Sequence, residues 1–316
     1  MWAYATRRIL QAIPVVFLST VLVFLLLHLL PGDPAMAVAG SNATPRQLAA
    51  VRHDMGLDEP LPLQYWIWLQ HLAHGNLGRS VLSGQQVSLL LSQRIPATME
   101  LALAGMVLSL AVSLVTGIVA ALNQRKAVDW VIMVFNSLAL AIPQFWMGIL
   151  LIIVLAVVLG WLPPGGRVAS GSNLGASLKS LAMPAIALAL PLTGGLSRYI
   201  RASMLEVLYE DHIRTARSKG LAERAVIYAH ALRNALLPVV TVLGLQFGFL
   251  LGGTVIIESV FSWPGLGTLM LDAIGNRDYV VVQAGLLYLA IVFILLNLVT
   301  DLLYGFLDPR IRSGSG

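Results

Sequence analysis

The side chains able to do chemistry are few and scattered. The chain has no cysteine, so it offers no thiol nucleophile, thiolate metal site or disulfide framework. His53, His71 and His74 hint at metal affinity, but no cluster of His and carboxylate has metal-ligand spacing on one helix. No arrangement of nucleophile, base and oxyanion donors can be read, which speaks against an intramembrane enzyme. There is no G-x-x-x-x-G-K-[ST] phosphate loop. The nearest likeness, Gly75-Asn-Leu-Gly-Arg-Ser80, lacks both the lysine and the spacing. ATP is therefore not expected on this chain.

One stretch does carry ordered chemistry. From Arg201 to Leu236 the sequence runs apolar (Met204, Leu205, Leu208), then acidic (Glu206, Glu210, Asp211), then basic (Arg214, Arg217, Lys219), and reaches Gly220. Thr215 and Ala216 lie between the basic positions. Connections between helices in bundles usually run about 2–8 residues, so a segment of roughly 36 needs a reason. The pattern predicts a short helix, a sharp turn at Gly220 and a second helix from Ala222 to Asn234. Together they would make a compact knob for another protein to grip. A solvated basic loop is the plainer reading, and the ordered alternation of residue types argues against it.

The elements that must position this knob lie in a membrane. The chain is 58% hydrophobic and 11% charged, where soluble domains carry about 25% charge. Crossing about 30 Å of hydrocarbon takes about 20 apolar residues. Spans are expected at 9–30, 101–122, 131–159, 181–197, 237–257 and 280–300, the fourth extending to about residue 200 and kinked by Pro184 and Pro191. Arg7-Arg8 before an apolar run resembles a secretion signal, but a signal's apolar core is about 7–15 residues and this run is longer. It is read as a span.

Orientation follows from the Lys and Arg distribution. With the N-terminus inside, the cytoplasmic segments hold Arg7, Arg8, Arg125, Lys126, Arg198, Arg201, Arg214, Arg217, Lys219, Arg224, Arg233, Arg310 and Arg312, 13 of the 20 cations. The net charge of +5 is thus a topology signal and not a nucleic-acid footprint. The expected fold class is all-α: a polytopic membrane protein with six transmembrane helices and both termini in the cytoplasm. Its parts are a tail and first span (1–30), an outer helical segment (31–98), a five-span core (99–310) containing the knob (201–236), and an appended tail (311–316). In the outer segment Thr44 and Gln47 form a capping box with Pro45 at the first helical position, Gly56 supplies a left-handed cap, and a second helix runs from Pro62 to His74.

The spans hold no Asp or Glu at mid-depth, where an ion-coupled carrier would place ionisable groups. Energy must then come from another chain. Ser113, Asn136, Gln144 and Gln246 are candidates to line a pathway for a polar solute, each more readily explained as a helix–helix hydrogen bond. Between spans five and six, Trp263, Pro264, Gly265 and Gly267 force a turn before a short helix, readable as an outer gate, a contact for an external protein, or a cap on the bundle.

TARSKGLAERAVIYAHALRNALLPVV (215–240) resembles the coupling loop of binding-protein-dependent ABC importer permeases, and more closely the B-type permease of the dipeptide, oligopeptide and nickel importer family. PGDP (31–34), MGLDEPLPLQYWIWL (55–69), GNLGRS (75–80), RIPATMELA (94–102), ESVFSWPGLG (258–267) and LDPR (307–310) fall in the family's order, so the resemblance covers nearly the whole chain. It also departs from the wider pattern. The general loop opens Glu-Ala-Ala where this chain has Arg214, Thr215 and Ala216, so the glutamate's role is not carried to Arg214. Asn76 stands where aspartate is expected.

The resemblance implies a type I importer permease in a bacterial or archaeal inner membrane. It would pair with a homologous second permease, two ATPase subunits and an extracytoplasmic solute-binding protein, with ATP and magnesium held by the ATPases and no cofactor on this chain. The helix from Glu210 and Asp211 to Gly220 would sit in an ATPase groove, Ala216 and Gly220 allowing close approach and Arg217 and Lys219 meeting acids. Short peptides are the expected cargo, nickel the runner-up. A channel or carrier working alone, and a purely structural scaffold, are the readings from other classes.

Overall fold

A computed structural model describes residues 2–29, 34–39, 43–54, 56–169, 171 and 173–307. PGDP through Asp33, Met55, and the end of the LDPR string with the tail beyond it lie outside the described residues. The helices are α1 (Trp2–Leu29), α2 (Pro34–Ala39), α3 (Pro45–Asp54), α4 (Leu61–Ala73), α5 (Val87–Leu122), α6 (Ala127–Ala141), α7 (Gln144–Leu151), α8 (Leu174–Leu208), α9 (Asp211–Ser218), α10 (Glu223–Ala225), α11 (Leu232–Val260), α12 (Leu266–Gly275) and α13 (Tyr279–Leu307). Wider π-helical turns extend α7 over Ile152–Val158 and join α10 to α11 over Val226–Ala231. Among the described residues five helices are long and apolar enough to cross a membrane, and six spans result if α6 and α7 form one bent span.

That bent pair corrects the third expected span. Hydropathy runs unbroken through 131–159, but α6 and α7 meet at 102°. The cause is Pro143: its ring pushes the preceding residue out of the helical region, and Ile142 is extended at φ −81°, ψ 122°. The fourth span departs the other way. Lys179 and Arg198 bounded the expected stretch, yet α8 runs 35 residues without a break through Pro184 and Pro191. Asn173 caps its start by accepting a hydrogen bond from the Ala176 N–H at 3.1 Å.

The chain divides into two compact units. The first comprises Met1–Arg8, Thr98–Trp263 and Leu296–Gly316, and α8 is its centre. Of α8's apolar window 67% is buried, against 17% to 39% for the other four long helices, so those four keep apolar faces for lipid or another subunit. Small residues set the crossings with α8. A Cβ on Gly117 of α5 would lie 2.8 Å from the Ser197 carbonyl, and one on Gly194 of α8 would lie 2.6 Å from the Asn136 carbonyl of α6. At the same level the Ser197 hydroxyl accepts from the Thr116 hydroxyl at 2.8 Å and the Asn136 amide at 3.0 Å. One serine thus links α5, α6 and α8.

Some carboxylates of this unit are wholly or partly buried, each with a partner. Glu258 is fully buried and accepts the Thr98 hydroxyl at 2.5 Å. Glu100 pairs with Arg167 at 2.6 Å. Asp129 pairs with Arg201, as described below.

The second unit comprises Ile9–Ala97 and Pro264–Leu295. The outer half of α1 packs on α4: Phe24 meets the rings of Tyr65 and Trp68, and the Thr20 and Tyr65 hydroxyls are 2.8 Å apart. Tyr65 and Trp68 are thus used inside the unit, while Trp66 remains exposed. The capping box forms, with the Thr44 N–H donating to Gln47 and the Gln47 N–H to Thr44. Gly56 takes φ +65°, and the Leu57 N–H closes on the Arg52 carbonyl at 2.9 Å. Asp278 is buried and accepts the Ser80 hydroxyl at 2.5 Å, fixing the turn after the GNLGRS string. Within that string Asn76 accepts the Gly78 N–H at 3.0 Å, a turn bond that an aspartate would make equally well.

Candidate functional site

The knob is built from α8's end, α9, α10 and the π-helical stretch into α11. The chain leaves α8 at Leu208, turns through Tyr209 and Glu210, and re-enters helix at Asp211. One face of α9 is apolar and consumed by the chain itself. Ile213 and Ala216 are buried with Met204, Val207, Val226, Ile227 and Ala231. Ala216, expected to allow close approach of a partner, packs inward and is 7% exposed.

The other face is polar and exposed, carrying Asp211, Arg214, Thr215, Arg217, Ser218 and Lys219. Much of it is tied internally. Arg214 reaches Asp211 at 3.3 Å, the Thr215 hydroxyl donates to the Asp211 carbonyl at 2.9 Å, and Glu210 lies 2.9 Å from His212. Arg217 holds Glu223 across the turn at 2.8 Å. This guanidinium keeps the Glu223 carboxyl below its usual range, and Glu223 raises Arg217 in turn. Arg217, expected to wait for acids on a partner, is thus already braced within the knob.

Gly220 ends α9 for a backbone reason. Its φ is +75°, its N–H bonds the Arg217 carbonyl at 2.9 Å, and the Leu221 N–H reaches Ala216 at 3.4 Å. This is the Schellman pattern, which needs a left-handed residue where glycine carries no Cβ penalty. No heavy atom lies within 4 Å of where a Cβ would stand, so the space beyond Gly220 is open.

The second helix of the knob is not the separate element expected over Ala222–Asn234. It passes through the π-helical turns into α11 with no intervening loop. Cross-links hold the assembly: the Ser203 hydroxyl donates to the Ala235 carbonyl at 2.8 Å, and Asn234 lies 3.1 Å from His212.

Residue-type reasoning missed what stands beside the knob. Arg201 of α8 makes a bidentate pair with Asp129 in the first turn of α6, both contacts at 2.7 Å. Asp129 also accepts the Arg125 N–H at 2.9 Å, and the Tyr209 hydroxyl donates to Gln124 at 2.9 Å. The charge distribution marks Arg201 only as an inside-facing cation; the acid at the cytoplasmic start of the third span is the signal that could pair it.

The remaining candidates are distributed. Ser113 and Asn136 are buried: Ser113 donates to the Thr193 carbonyl at 3.2 Å, and Asn136 to Ser197. Both serve helix packing. Gln144 and Gln246 are half-buried beside glycines of neighbouring helices, Gly253 and Gly195 respectively. Trp263, Gly265 and Gly267 are buried and Pro264 is partly so, which leaves little of that turn as an accessible surface in this state. Among the described residues no group of three His, Cys, Asp or Glu could hold a metal ion.

Comparison with known proteins places the chain. The family model "Binding-protein-dependent transport system inner membrane component" matches residues 113–313, and its N-terminal companion matches residues 1–102. The chain belongs to this family of inner-membrane permeases of ABC importers. Its relatives include a Brucella abortus (strain 2308) protein that bears a peptide transport system permease name, 44% identical over 99% of both chains. They also include the glutathione transport system permease protein GsiC of Escherichia coli O6:H1, 41% identical over 99% of both. A crystal structure of an amino acid ABC transporter with histidines overlaps at TM-score 0.48 and 16% identity, covering 70% of this chain and 94% of that one, too loose a likeness to carry an argument.

Proposed function

We propose that this permease forms half of the pathway through which an ATP-driven importer takes up short peptides. Two separate ATPase subunits, holding ATP and magnesium, dock on the knob around Glu210–Gly220. A homologous second permease completes the pathway, and a solute-binding protein delivers cargo from outside.

The observation that carries this reading is the two-faced α9. Its apolar face is already buried, its polar face is exposed, and the turn at Gly220 opens onto empty space. A helix so braced is a rigid projection, suited to a groove on another protein. Lys219 and Arg214 remain exposed on it for acidic partners. A second permease is supported by the exposed stripe Leu245, Phe249, Gly252 and Ile256 on α11, spaced for one helical face. Peptide cargo is supported by the relatives named for peptide and glutathione transport.

The test is purification in mild detergent from cells expressing the whole gene cluster, followed by peptide uptake in proteoliposomes. Two ATPases and a second permease should accompany the wild-type chain, and Gly220→Leu should lose the ATPases. A wild-type chain that purifies alone overturns the docking reading. A complete complex that hydrolyses ATP but accumulates no di- to pentapeptide overturns the cargo.

A further inference from the structure

We infer that the Asp129–Arg201 pair is a positioning device that makes the α5–α6 corner move with the cytoplasmic end of α8, so that displacement of the docked knob reaches α5 and α6 as well as the helices it directly continues. The inference rests on the docking reading above and names the route by which that site would act.

The covalent path from α9 leads only to α8 and α11. Nothing in the chain order connects it to α5 or α6, whose joining turn is 123–126. The bridge is made by side chains. Arg201 stands two turns before α8 ends and grips both oxygens of Asp129, whose side chain is 6% exposed against 22% for Arg201. The second oxygen of Asp129 also receives the Arg125 N–H, so the carboxylate ties α8 to the main chain of the corner itself. Tyr209, the residue between α8 and the knob, reaches Gln124 of the same corner.

A largely buried pair is a costly way to gain stability, because desolvation offsets much of the attraction. Its geometric content is larger. A planar guanidinium on a carboxylate fixes distance and orientation together, and lysine at the same place would fix neither. Higher up, the Ser197 link and the close approach of Gly117 and Gly194 keep the same three helices in contact. The helices are thus joined at two levels, which resists tilting of one against another.

The experiment uses the assembled importer in proteoliposomes with its ATPases and binding protein. Asp129→Asn and Arg201→Lys should each lower transport per ATP hydrolysed by about tenfold, a typical coupling between linked sites. The ATPases should remain bound. The exchange Asp129→Arg with Arg201→Asp should recover part of the loss. Separately, Gln124→Cys and Tyr209→Cys in this cysteine-free chain can be bridged by a bismaleimide. If corner and α8 end move together, the bridged complex transports at the unbridged rate. Transport per ATP unchanged in both single variants, loss of the ATPases from both, or arrest on bridging overturns the inference. Should wild type itself carry no ATPases, the docking reading fails instead.

Discussion

Gly194 of α8 lies against the main-chain oxygen of Asn136 on α6 so closely that a Cβ would stand 2.6 Å from it. The neighbour is backbone and cannot swing aside. Overpacking of this kind costs about 1–3 kcal/mol. Gly194→Ala should therefore lower the thermal midpoint of the purified complex by several degrees. Gly195→Ala, whose new methyl would meet nothing nearer than 3.8 Å, should leave it unchanged. Equal midpoints for the two variants would refute the close crossing.

At Gly220 the obstacle to substitution within this chain is backbone conformation and not space. A left-handed residue with a side chain costs about 1–2 kcal/mol, and asparagine visits that region more readily than most. Gly220→Asn should keep a substantial fraction of the bound ATPases, while Gly220→Leu loses them. Equal loss from both would mean that a partner fills the open space fully. Quantitative mass spectrometry of the co-purified subunits separates the outcomes.

The Arg217–Glu223 brace carries a pH signature. Because Arg217 depresses the Glu223 carboxyl, the brace contributes at neutral pH and persists as pH falls to the unfolded chain's glutamate range. It is then lost as pH drops through the lowered folded value. Both side chains are substantially exposed, so the contribution is about 0.2–1 kcal/mol and weakens with salt. The difference in melting temperature between wild type and Glu223→Gln should stay constant from pH 8 to about 5 and then close. A difference that widens on acidification would contradict the sign.

In the second unit the buried Asp278 depends on the Ser80 hydroxyl. Ser80→Ala leaves that carboxylate with its weaker bonds to the Leu82 and Val281 N–H groups, both at 3.4 Å. A lost hydrogen bond to a charged group costs about 1.5–3 kcal/mol. Limited proteolysis should cut the variant faster at 79–86, with the first unit's fragments unaffected. Wild-type resistance would show that the bond contributes nothing.

What was legible in the sequence was local. The Thr44–Gln47 box and the Gly220 turn are decided by residues a few positions apart, and both formed. The spans were legible because hydrophobicity is a bulk property, although it passed over Pro143, whose effect on Ile142 was written in the chain and outweighed by the apolar run around it. The inward face of α9 was harder. Ala216 looks like a small residue left open for a partner until Val226 and Ala231 are folded beneath it. Asp129 and Arg201 are 72 positions apart, and nothing in either neighbourhood names the other.

The π-helical stretch Val226–Ala231 gives the chain a further property. A π turn accommodates a surplus residue in a helix that otherwise keeps its phase. Deleting one residue there would return the stretch to regular α-helix while the faces of α11 and of α9 keep their directions. The same deletion a turn inside α11 would rotate every residue on one side of it by about 100°. Length variation, whether arising in evolution or imposed by engineering, is therefore cheapest at the junction between the knob and the membrane helix into which it continues.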